Sequence, residues 1–106
     1  MTARRAYIDG NNNTYEIGDR LDYVPITPAQ SSSGMYSGGE PKSVALDADR
    51  RAQIVELLEQ IVADRAYLLP ARPKGCGTVV HGDEHSFVSA DSPLKLELER
   101  LLKSQL

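Results

Sequence analysis

A chain of 106 residues with 41% hydrophobic and 25% charged side chains has the composition of an ordinary globular protein and is too apolar for wholesale disorder. Its length suits one core of two packed layers rather than two independent cores. A net charge of −3 disfavours nucleic-acid binding, which needs a basic stripe, and no run approaches the roughly 20 apolar residues that span a bilayer.

The N-terminal arginines, Arg4 and Arg5, are not followed by an apolar run of signal-peptide length, which predicts a cytoplasmic protein. Arg4 to Ile8 reads as an edge strand or loose arm, because Asp9-Gly10-Asn11-Asn12-Asn13 are turn formers that tolerate left-handed backbone. Residues 1–13 are therefore set apart from a single α+β domain spanning 1–106. Over residues 14–24 the apolar residues Tyr15, Ile17, Leu21 and Tyr23 share one parity. That period of two marks a half-buried strand. Gly18-Asp19 is compatible with a hairpin turn, but one long bent strand is the preferred reading.

Pro25 and Pro28 end that element, since neither can donate to a ladder. Residues 29–43 are rich in Ser, Gly and Pro and read as a loop, although Met35 and Tyr36 in its middle suggest that it packs, with a short strand as the alternative. A helix is predicted from Asp47 to Asp64. Ile54, Leu57, Leu58, Ile61 and Val62 fall on one face, and Asp47 is placed to cap the first turn. Arg65 to Leu69 reads as a strand stopped by Pro70 and Pro73. Gly77 to Val80 and His85 to Ser89 read as a hairpin around Gly82-Asp83. A second helix opens at Ser92-Pro93, with Leu94, Leu98, Leu101 and Leu102 as its apolar stripe.

Strands, helix, strands and helix in that order predict an antiparallel sheet of about four to five strands with two helices packed on one face. Tyr15 and Tyr23 are assigned to the edge of the core.

The chemistry-bearing residues are few. Cys76, His81 and His85 are the strongest grouping, because thiolate and imidazole both bind zinc and both serve nucleophilic catalysis. Their spacing matches no recognised finger, and on the hairpin reading the two histidines flank the turn and face each other. A lone cysteine makes no intramolecular disulfide and fits a reducing compartment. The Ser/Gly loop lacks the Lys-Ser/Thr end of a phosphate-binding loop. Tyr36, Ser37, Gly38 and Gly39 on that loop are assigned to binding instead. So are Arg72 and Lys74, which lie with Arg65 in a proline-stiffened basic stretch suited to an acidic partner.

These residues favour a non-catalytic protein-binding module, such as an inhibitor, immunity-type protein or accessory subunit, without cofactor or metal. The alternative is a small enzyme or metal-dependent hydrolase centred on Cys76, His81 and His85. Leu96 and Leu106 lie off the stripe of the second helix and are compatible with a homodimer.

Overall fold

A computed structural model describes residues 4–26, 39–70 and 76–106. The strands are β1 (Arg5–Ile8), β2 (Thr14–Ile17), β3 (Arg20–Val24), β4 (Lys42–Ala45), β5 (Leu68–Leu69), β6 (Gly77–His81) and β7 (Glu84–Val88). Helix α1 (Ala48–Ala63) lies between β4 and β5, and α2 (Pro93–Gln105) follows β7. The strands make one seven-stranded sheet in the order β4-β3-β2-β1-β6-β7-β5. Every neighbouring pair is antiparallel.

The expected α+β class holds, but four to five strands is an undercount. The run at 14–24 turns at Gly18–Asp19, where the Gly18 N–H donates to the Arg20 carbonyl at 3.1 Å, so it forms two strands. Lys42–Ala45, whose first half lies in the supposed loop, pairs with β3 as the strand at one end of the sheet. In place of a strand, Arg65–Tyr67 forms a 3₁₀ turn, leaving only Leu68–Leu69 to pair with β7.

β1 is likewise interior rather than an edge, since it pairs with β2 on one side and β6 on the other. The turn after it closes on Asp9. The Asp9 carboxylate accepts from the Asn11 and Asn13 N–H groups at 2.9 and 3.0 Å. Asn12 takes the positive φ of 69° that an Asx-rich turn tolerates.

Helix α1 starts where its cap predicts. The Asp47 carboxylate accepts from the Arg50 N–H at 2.7 Å, supplying one of the partners that a first turn lacks. Ile54, Leu58 and Ile61 turn inward and α2 contributes Leu98 and Leu102. They share one cluster with Tyr7, Tyr15, Ile17, Leu21, Val79 and Val88 of the sheet. Each such aliphatic side chain contributes about 1.5–3 kcal/mol when fully buried. The tyrosines form a ladder across β1, β2 and β3, with ring centroids 6.1 Å apart for Tyr7–Tyr15 and 5.0 Å for Tyr15–Tyr23. On the opposite sheet face, Ala6, Thr78 and Val80 are buried at the centre. Toward β4 that face turns polar, with Arg4 paired to Glu16 and Arg20 bonded to Ser43, which also bonds Asp22.

No helix among the described residues is long and apolar enough to cross a membrane.

Candidate binding cleft

Among the residues assigned to binding from sequence, Tyr36, Ser37, Gly38, Arg72 and Lys74 lie outside the described residues. Gly39 is exposed, with φ +100° and open space where a Cβ would stand.

Cys76, His81 and His85 are not brought together. Cys76 is buried just before β6, and His81 ends that strand, so about 16 Å of extended chain separates them. The histidines do not face each other. His81 pairs with Glu84 and His85 with Val80. Crossing a two-residue turn reverses parity, so two odd-numbered residues fall on opposite faces of the hairpin. Among the described residues, no three His, Cys, Asp or Glu side chains group closely enough to hold a metal ion.

A polar trio sits inside the fold instead. The Tyr7 hydroxyl donates to Glu99 Oε2 at 2.6 Å, and Lys95 Nζ donates to the two Glu99 oxygens at 3.3 and 3.2 Å. Lys95 is 5% exposed and stands in the first turn of α2 after the Ser92 cap. A cation there opposes the helix dipole, and Lys placed before Glu is the weaker order for an i,i+4 pair. The trio therefore does little for the helix alone and instead ties α2 to the central strand. Gly77 makes room for it: a Cβ there would lie 2.6 Å from the Tyr7 hydroxyl oxygen and 2.9 Å from Lys95 Cε. Burial, reinforced by Glu99, raises the Tyr7 phenol far above its ordinary range and keeps it neutral. None of these residues lines the three main clefts among the described residues, and each polar group of the trio is occupied by another. The trio is a structural tie.

The more capable feature is a half-open cleft of about 400 Å³ between the C-terminal half of α1 and the sheet. Leu58, Val62 and Ala63 from the helix and Val79 from β6 give it apolar walls. Its rim is charged. Arg5, His81 and Glu84 stand side by side on β1, β6 and β7 because their registers align Arg5 with His81 and His81 with Glu84. Glu59 reaches down from α1 and pairs with Arg5 at 3.5 Å. Arg65, in the turn after α1, and Ser86, on β7, complete the border.

Two of these charges have no opposite number. Arg65 and Glu84 make no ion pair with any described residue, and both are exposed. A volume of this size, an apolar lining and a few polar groups are the common features of small recognition sites.

Sequence reasoning reached Arg65 as part of a basic stretch but missed the cleft. The hairpin that contains β6 and the period of α1 were both readable. What was missing was the pairing of β1 with β6, which brings Arg5 to His81 from 76 residues away. Comparison with family models, with curated proteins and with solved structures yields no match to this chain.

Proposed function

We propose that this protein is a non-catalytic binding module that takes a segment of another protein into the cleft between α1 and the β1–β6–β7 part of the sheet. One observation carries the reading: the cleft joins an apolar lining of Leu58, Val62, Ala63 and Val79 to a charged rim. An apolar side chain can anchor in such a lining while rim groups set orientation. The walls are preformed, since Leu58 and Val79 are 2% and 3% exposed and belong to the core cluster. Little ordering entropy is then lost on binding. A cytoplasmic location goes with this reading, supported by the one cysteine, which is buried and unpaired.

The test is selection of short random peptides by display on the immobilised full chain, repeated with Ala63→Gln. Ala63 is an exposed helical position on the wall of the cleft, so the longer side chain fills the space without disturbing the core. The reading expects enriched peptides that bind the native chain and lose most of their affinity for the variant. If nothing is enriched, or if Ala63→Gln binds equally well, the proposal fails.

A further inference from the structure

Resting on the cleft as the binding site, we infer the chemical pattern of its occupant: a peptide segment with an apolar side chain for the lining, a carboxylate for Arg65 and a cationic group for Glu84. Charge complementarity at the rim selects this pattern. Within the rim, Arg5 is already matched by Glu59 at 3.5 Å. Arg65 and Glu84 are the two formal rim charges left without a counter-charge among the described residues. They come from different elements, the turn after α1 and the start of β7, and both border the same cavity. A purely acidic partner would satisfy Arg65 but meet Glu84 as a like charge, and a purely basic partner would do the reverse. Like-charge juxtaposition is a strong discriminator between partners. An occupant bearing both signs, spaced to either side of an apolar anchor, leaves neither rim group opposed.

The experiment uses the peptides selected on the full chain and two single variants, Arg65→Glu and Glu84→Lys. Both positions are exposed and make no ion pair with a described residue, and an unchanged thermal melt is required of each variant. Enriched sequences should carry an acidic and a basic residue flanking an apolar one. Each reversal should weaken binding about tenfold, equivalent to about 1.4 kcal/mol. Alanine replacement of the peptide's acidic residue should abolish the effect of Arg65→Glu, and replacement of its basic residue should abolish that of Glu84→Lys. Enriched peptides of a single charge sign, or binding indifferent to both reversals, overturns the charge pattern while leaving the cleft as a binding site. Failure to enrich any peptide overturns the binding reading beneath it.

Discussion

Replacing Gly77 with Ala tests the buried tie between α2 and the sheet. The added Cβ would sit 2.6 Å from the Tyr7 hydroxyl oxygen, 2.9 Å from Lys95 Cε and 3.0 Å from Tyr7 Cε1. Favourable contacts between such atoms lie near 3.5–4.0 Å, so the overlap is about 1 Å on more than one side. The Tyr7 ring cannot swing away freely. It is fully buried, and its hydroxyl is held by Glu99 at 2.6 Å. Overpacking costs about 1–3 kcal/mol, and disturbing a hydrogen bond to a charged group adds about 1.5–3. Removing a glycine returns about 0.4–1 kcal/mol by restricting the unfolded chain. The expected net loss is about 1.5–5.5 kcal/mol, a fall of roughly 7–25 °C in Tm for a chain of this size. Urea unfolding followed by circular dichroism measures it. Tyr7→Phe removes the nearest atom of the clash, so Gly77→Ala should cost at least about 1 kcal/mol less in the Tyr7→Phe background than in the native one. A neutral or stabilising Gly77→Ala, or strict additivity of the two changes, would refute this packing.

The Thr78 hydroxyl is buried without a hydrogen-bond partner among the described residues, so Thr78→Val should raise stability by about 1 kcal/mol in the same urea assay; a loss would mean that the hydroxyl is satisfied. Glu99→Leu strands Lys95 and the Tyr7 hydroxyl and should cost about 3–5 kcal/mol, whereas Lys95→Met together with Glu99→Leu should recover a large part of that loss. The pH dependence follows from Tyr7, whose phenol is raised first by burial and then by Glu99. A group with a folded pKa above its unfolded value contributes stability that is complete below about pH 10 and is lost as the unfolded chain begins to ionise. Stability should therefore fall as pH rises through about 10, and Tyr7→Phe should make that fall shallower; an equal slope in both proteins would contradict it.

Much of the fold was legible because local chemistry and tertiary structure agree. Asp47 caps α1, Ser92 and Pro93 open α2, and Gly82 takes φ +62° in the β6–β7 turn, each from a signal within a few residues. The failures share a physical cause. In the β2–β3 hairpin, Tyr15 pairs with Tyr23 and Ile17 with Leu21, so the return strand keeps the parity of the outgoing one. A continuous strand and this hairpin then show the same alternation, and only pairing separates them. In the β6–β7 hairpin the shorter turn reverses parity, which sends His81 and His85 to opposite faces.

In α2 the leucine stripe was visible, but the buried line runs through Lys95, Leu98 and Leu102. A lysine in line with buried leucines, followed four residues later by Glu99, was the signal for the internal tie. Its third member, Tyr7, is 92 residues away in sequence. The cleft depends on the same kind of remote pairing, since β1 must lie beside β6 before Arg5 can border it.

The most direct measurement for the central claim is an NMR titration of the full chain with a selected peptide. The amide signals of Val62, Ala63, Val79 and Ser86, which border the cleft, should shift together and saturate with one affinity. Shifts that leave those amides unmoved and gather on the outer groove at Gln53, Leu57 and Leu101 would contradict it.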